Sequence, residues 1–151
     1  MCAASSLAIS IRTATRADAA QWEAMRCAMW PVDDESHAEE IASFFAGTLK
    51  EPEAVFVAET SPGALVGVME LATRFDIEGL VEQPVGYVEG LYVVPDARKR
   101  GVARQLLQAS LQWAKDTGCV GFASDRGGRI IVYSRFRPLK AENISQDQKG
   151  K

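Results

Sequence analysis

The stretch Arg98–Leu107, RKRGVARQLL, places three cations and a glycine after the apolar run EGLYVVPDA and ahead of residues with helical spacing. A strand that ends in a loop whose glycine opens a helix supplies backbone N–H groups that no helical carbonyl satisfies. The helix dipole adds partial positive charge at the same point. This is the chemistry of anion binding. Arg98, Lys99 and Arg100 raise the local potential, and Gly101 lets the backbone approach a phosphate with no Cβ in the way. A pyrophosphate is the natural guest. The run is neither GxxxxGK[ST] nor GxGxxG. Taken by itself it reads equally well as a solvated basic loop with a turn glycine, and the strand ahead of it tips the balance towards an anion site.

The opposite charge gathers elsewhere. Acidic residues crowd into VDDESHAEE, Val32–Glu40, and recur at Glu78, Glu82 and Glu89. A chain with one cationic and one anionic region suits two differently charged ligands. Glu89, set between apolar neighbours and next to Gly90, is a candidate base; the plainer reading is a solvent-facing strand residue paired with a cation. Asp125 reads almost as readily as a turn cap ahead of Arg126 and Gly127. Trp30, before Pro31, is equally a staple of a helix to the core or a platform for a ring. His37, the only histidine, reads as an exposed first-turn residue with no dyad around it. Ser124 has no histidine partner in reach, which disfavours nucleophilic catalysis.

These residues need a frame to position them. Alternation predicts a strand over Ala8–Ala14. Thr15-Arg-Ala-Asp18 is a capping box for a helix running to about Met29, ended by Pro31. A second box at Ser36-His-Ala-Glu39 opens a helix with Ile41, Phe44, Phe45 and Leu49 on one face, its last turn weakened by Gly47. Ala54–Glu59 and Ala64–Phe75 form a hairpin around Thr60-Ser-Pro-Gly63. Val85–Val94 is a strand closed by Pro95, with a bulge expected at Gly90. Val102, Leu106, Ala109 and Trp113 define an amphipathic helix to about Thr117, stopped by Gly118, and Cys119–Asp125 is a further strand. Arg126–Arg129 signals a turn, and Arg129–Phe136 is one more strand candidate. The order predicts a mixed α/β (α+β) layer, mostly antiparallel in its first half, with a parallel crossover at the basic loop.

The 151 residues bound one domain, expected over 1–136, with a polar tail, 137–151, that frays. The net charge of -3 argues against nonspecific nucleic-acid binding, and no apolar run is long enough for a membrane span. Three cysteines without CxxC spacing suggest neither a disulfide framework nor a zinc site. With no leader pattern at the start, a cytoplasmic protein is expected.

Arg98-x-x-Gly101-x-Ala103 after VEGLYVV resembles the R/Q-x-x-G-x-G/A signature of the GNAT N-acetyltransferases, whose loop holds the pyrophosphate of acetyl-CoA. Within that superfamily the chain is similar to the aminoglycoside 6'-N-acetyltransferases through Ala28–Pro31 (AMWP), the acidic run, Thr73–Asp76 (TRFD), Tyr87–Leu107 and Gly118–Asp125. The resemblance covers about Ile9 to Asp125. It implies acetyl-CoA as co-substrate, with Leu91, Tyr92 and Val93 along its pantetheine arm and Arg98, Arg100, Gly101, Val102 and Ala103 at its pyrophosphate. It implies that Trp30, Glu89 and Asp125 face the aminoglycoside. An amine acceptor must lose a proton, for which Glu89 is the catalytic candidate, with Asp125 as an alternative or as an ammonium anchor; the acidic region also fits another polyamine.

Two departures stand out. Relatives carry a tyrosine where this chain has Ile77. After the SD dipeptide they continue with a polar segment holding a coenzyme-binding asparagine, and then a helix, which is missing here. Arg129–Leu139 faintly resembles the final strand of the family, as after a deletion or a change of reading frame. An uncovered sheet edge of that kind predicts a homodimer, with Arg129–Phe136 paired either with Cys119–Asp125 or across to a second chain.

Overall fold

The computed structural model describes residues 8–31, 36–126 and 129–136. Six strands, β1 (Ser10–Thr13), β2 (Ala54–Ser61), β3 (Ala64–Arg74), β4 (Val85–Val93), β5 (Gly121–Arg126) and β6 (Arg129–Arg135), lie in one sheet in that order. Three helices accompany them: α1 (Ala19–Met29), α2 (Ser36–Ala46) and α3 (Val102–Asp116). The first half is antiparallel as expected. Ser10 of β1 stands opposite Glu59 of β2, and Ala54 of β2 opposite Leu71 of β3. The strand neighbours β4 and β5 are joined through α3, the crossover that the basic loop begins.

The chain divides into two compact units. The first holds the described residues up to Ala72 together with Val88–Ser110, and the second holds Thr73–Tyr87 and the residues from Leu111 onward. The core of the first unit gathers Trp22 and Met25 of α1, Ile41 of α2, and Val55, Val57, Leu65 and Val68 of the sheet. Helical spacing puts Phe44 and Phe45 beside Ile41, and both rings meet Trp22 edge-on, at centroid distances of 5.3 and 5.8 Å. Leu49 is not part of that face. The Thr48 N–H reaches back to the Ser43 carbonyl at 3.0 Å and closes α2 at Ala46, so Gly47 caps the helix rather than weakening its last turn.

Ile77, Leu80, Val85, Tyr87 and Ala123 form the core of the second unit. The expectation for α3 needs one change: Ser110 and Ala114 are fully buried, whereas Ala109 and Trp113 are only half-buried. Serine tolerates this position because its hydroxyl donates to the Leu106 carbonyl at 2.8 Å, leaving no unmet polar group in the interior. Of the two pairings expected for Arg129–Phe136, the one within the chain is present, since β6 runs antiparallel to β5 with Gly121 opposite Arg135 and Arg126 opposite Arg129. The stretch 137–151 lies outside the described residues.

The capping box expected at Thr15 is present and does more than cap. The buried carboxylate of Asp18 accepts the Thr15 N–H at 2.7 Å and takes the Arg12 guanidinium on both oxygens, at 2.8 and 2.9 Å. Arg12 in turn donates to Glu59 across the β1–β2 pair at 2.9 Å. The Arg12 bonds hold the Asp18 carboxyl below its ordinary value of 3.8, and burial opposes them less strongly. A carboxyl with a depressed folded pKa contributes stability that is fully present above its unfolded pKa and lost as pH falls through the folded one. Asp18→Asn should therefore cost about 2 kcal/mol at pH 7 and progressively less as the pH falls below about 4. Urea unfolding at pH 7 and pH 3 checks this; an equal loss at both would refute it.

Candidate active site

The basic loop is built by a break in backbone handedness. After the short helical turn Pro95–Ala97, Lys99 and Gly101 both take left-handed backbone, with φ of +64° and +87°. Glycine adopts this freely, and lysine does so at a steric cost. The Gly101 carbonyl accepts the Gln105 N–H at 3.0 Å, which is the first rung of α3, so the N–H groups of Val102, Ala103 and Arg104 precede the helical ladder. Nothing lies within 4 Å of the point where a Gly101 Cβ would stand. A cavity of about 420 Å³ opens here, between the end of β4 (Leu91, Tyr92, Val93) and the start of α3 (Val102, Ala103).

The sequence had pointed to most of this wall. Leu91, Tyr92, Val93, Arg98, Gly101, Val102 and Ala103 all line the cavity; Lys99 and Arg104 join them, and Arg100 is not in the wall. Arg98 is exposed, yet its side chain is engaged by the strand. Its Nε donates to the Val93 carbonyl at 2.7 Å and its guanidinium lies 5.4 Å from the Tyr92 ring centroid, so it fastens the loop to the strand.

A second, smaller cavity of about 170 Å³ belongs to the same unit and is lined by Arg26, Trp30, Glu51, Pro52, Glu70 and Glu89. Trp30 and Glu89, singled out from the sequence, are thus brought together, and Glu51 and Glu70 join them. Three carboxylates against one guanidinium suit a cationic guest. Glu70 is almost wholly buried and fully engaged. Its Oε2 accepts Trp22 Nε1 at 2.8 Å and Arg26 Nε at 2.9 Å, and its Oε1 accepts Arg26 Nη2 at 3.3 Å. Burial pushes its carboxyl above the usual range, and Arg26 and the Trp22 N–H oppose that shift. Arg26 Nη1 donates to Glu40 at 2.6 Å, so one residue of the acidic run, its side chain half-exposed, is already paired with α1. The neighbouring positions 32–35 lie outside the described residues.

Gly90 lies within continuous strand in β4. A Cβ there would stand 2.6 Å from Cη2 of the Trp30 indole, so the glycine is needed for close approach. His37 is buried, not exposed as expected, because its Nε2–H donates to the Trp30 carbonyl at the end of α1, at 2.9 Å. That tautomer leaves Nδ1 as a buried acceptor without a hydrogen-bond partner among the described residues. Asp125 belongs to the second unit, exposed on β5 and opposite Ile130. Ile77, where a tyrosine was expected, is core of that unit, whereas Phe75 is exposed and Arg74 stacks on Tyr87 at 4.1 Å.

Two cavities thus open two residues apart along β4, one at the glycine that starts α3 and the other lined by carboxylates. Residues 17–135 match the acetyltransferase (GNAT) family, and the chain belongs to it. It is 40% identical over 116 residues to the aminoglycoside N(6')-acetyltransferase type 1 of Klebsiella aerogenes, covering 76% of each chain. With the enzyme of the same name from Stenotrophomonas maltophilia it shares 41% over 117 residues, 77% of this chain and 74% of the other. Among solved structures, AAC(6')-Iy in complex with the bisubstrate analog CoA-S-monomethyl-acetylneamine superposes with a TM-score of 0.68 at 26% identity. The match covers 93% of this chain and 88% of that one.

Proposed function

We propose that the chain transfers the acetyl group of acetyl-CoA to the 6'-amine of an aminoglycoside by direct attack within a ternary complex. The observation that carries this reading is the pair of cavities on β4: Glu89 and Trp30 in the carboxylate pocket, Leu91–Val93 and the start of α3 in the other. The open space over Gly101 and the uncommitted first N–H groups of α3 fit the coenzyme's pyrophosphate, and the β4 residues fit its pantetheine arm. The relatives named for this activity support the same acceptor class.

An alkylammonium with a pKa near ~10 is only about a thousandth deprotonated at neutral pH, so the acceptor must lose a proton before it attacks. Glu89 takes that proton, directly or through a water, as the C–N bond forms and the C–S bond breaks. The departing thiolate is protonated from solvent. A carboxylate beside an amine also raises its pKa, so positioning must outweigh that shift. Asp125 remains the candidate ammonium anchor or alternative base.

A second reading is a coenzyme-binding protein with impaired turnover, or an acetyltransferase for another polyamine or a protein amine. It is favoured by the direct passage from β5 to β6 and by the buried Ile77 in place of a tyrosine. Mixing the protein with acetyl-CoA and neamine, kanamycin, spermidine or a lysine peptide and following free thiol separates these. Release with the aminoglycosides alone supports the first reading; coenzyme A binding by calorimetry with no release from any amine supports impairment. A coenzyme-A thioester donor suits a cytoplasmic setting.

β6 is the last strand in the sheet order, and a free edge there would pair two copies. Sedimentation equilibrium should give the mass of a homodimer; the mass of one chain at micromolar concentration would refute it. Gly101→Val should weaken coenzyme A binding at least tenfold and more than Lys99→Ala, because a β-branched residue cannot hold φ of +87° and would fill the cradle. Equal losses by calorimetry would mean that side-chain charge dominates. Glu89→Gln should lower kcat about 100-fold with coenzyme affinity unchanged, and Asp125→Asn should raise the acceptor KM at least as much as it lowers kcat. Unchanged pH–rate profiles in both variants would remove these roles.

A further inference from the structure

The aromatic wall of the carboxylate pocket is held by its neighbours: Arg26 and Glu70, almost wholly buried at the cavity's edge, and Gly90 of β4. The Trp30 indole sits against β4 where Gly90 has no side chain: a Cβ would lie 2.6 Å from Cη2, 3.0 Å from Cζ2 and 3.4 Å from Met29 Sδ. Arg26 presents its guanidinium to the same indole at 5.3 Å from the ring centroid. That guanidinium is itself held on two sides, by Glu70 through Nε and Nη2 and by Glu40 through Nη1. The Trp30 backbone is pinned at both ends, its N–H to the Arg26 carbonyl at 2.7 Å and its carbonyl to His37. Trp30 nevertheless keeps 36% of its surface exposed and lines the cavity with Glu89.

We propose that Gly90, Arg26 and Glu70 are positioning residues of the acceptor pocket: the missing Cβ of Gly90 and the Glu70-clamped guanidinium of Arg26 seat the Trp30 indole as the wall against which an acceptor ring lies. The proposal rests on the acceptor reading above for its kinetic part, but not for the seating itself. A Cβ at position 90 pushes the indole out of its seat and into the pocket. Lysine at position 26 keeps the charge but loses the planar fork that bonds Glu70 twice while facing the ring.

The test is a double-mutant cycle. Gly90→Ala should raise the acceptor KM about ten- to 100-fold and leave the acetyl-CoA KM within twofold. Adding it to Trp30→Phe should cost almost nothing further, because the smaller ring lacks the clashing atoms. Arg26→Lys and Glu70→Gln should likewise raise the acceptor KM, each with a smaller effect in the Trp30→Phe background. A readout independent of turnover is acrylamide quenching of the fluorescence component that Trp30→Phe removes; it should become more quenchable in Gly90→Ala. If the wild-type chain acetylates no aminoglycoside, the acceptor reading fails while the quenching result still decides the seating. Additive losses, equal rises in both KM values, or unchanged quenching would overturn the proposal. If Gly90→Ala does not fold, Arg26→Lys carries the same cycle and decides the seating by the same outcomes.

Discussion

The ion pair between Arg26 and Glu70 constrains the first unit more than any single apolar contact. Both side chains are buried, and removing two charges from water costs several kcal/mol each unless the geometry is good and the remaining hydrogen-bonding capacity is met. Here it is met: Glu70 receives three N–H donors from two residues of α1, and the fork of Arg26 is completed by Glu40 of α2. Such a pair adds little net stability over an apolar substitute. It does penalise every packing in which α1 is rotated or shifted, because either charge left alone would be far more costly. The pair therefore fixes the register of α1 and α2 against β3.

That register carries through to the end of α1. Trp30 follows Arg26 by one helical turn, so whatever fixes the guanidinium also fixes the direction from which the indole approaches β4. Gly90 completes the arrangement from the strand side, by absence rather than by contact. The result is a pocket whose charge is mostly carboxylate and whose aromatic wall is held from behind, with the exposed part of the ring left for a guest. Preorganisation of this kind lowers the ordering cost of binding, which matters for a flexible polar acceptor more than added contact area does.

The parts of the site that sequence made legible are those in which cause and effect lie within a few residues. The anion cradle depends on Val93 to Gln105, and strand, glycine, cations and helical spacing are all visible in that window. The hairpin at Gly63 and the capping box at Thr15 are legible for the same reason. Glu70 was not, because its meaning depends on Trp22 and Arg26, more than 40 positions away. One signal was available: a lone carboxylate between Met69 and Leu71, in a strand buried on both faces, needs a cationic partner. His37 failed similarly, since a first-turn histidine is exposed unless a carbonyl from another helix meets it, as that of Trp30 does. In α3 the apolar count favoured Ala109 and Trp113 over Ser110, and only the hydroxyl's bond back to Leu106 explains why the polar residue is the buried one.

The basic loop shows how a run of like charges can mislead about what its side chains do. Three consecutive cations suggest that charge does the binding, yet Arg98 is engaged with the Val93 carbonyl and the Tyr92 ring, and Arg100 is absent from the cavity wall. What the loop holds at some cost is a shape. Lys99 in left-handed backbone is strained by about 1–2 kcal/mol relative to an ordinary conformation, and such strain persists only where the surroundings over-determine it. The Arg98 bond to the strand and the α3 ladder starting at Gly101 are those surroundings, one on each side of Lys99. With its neighbours fixed, the chain has little choice but to turn left at Lys99 and again at Gly101. Arg98, the first of the three cations, thus serves largely to hold the backbone at which the cavity opens.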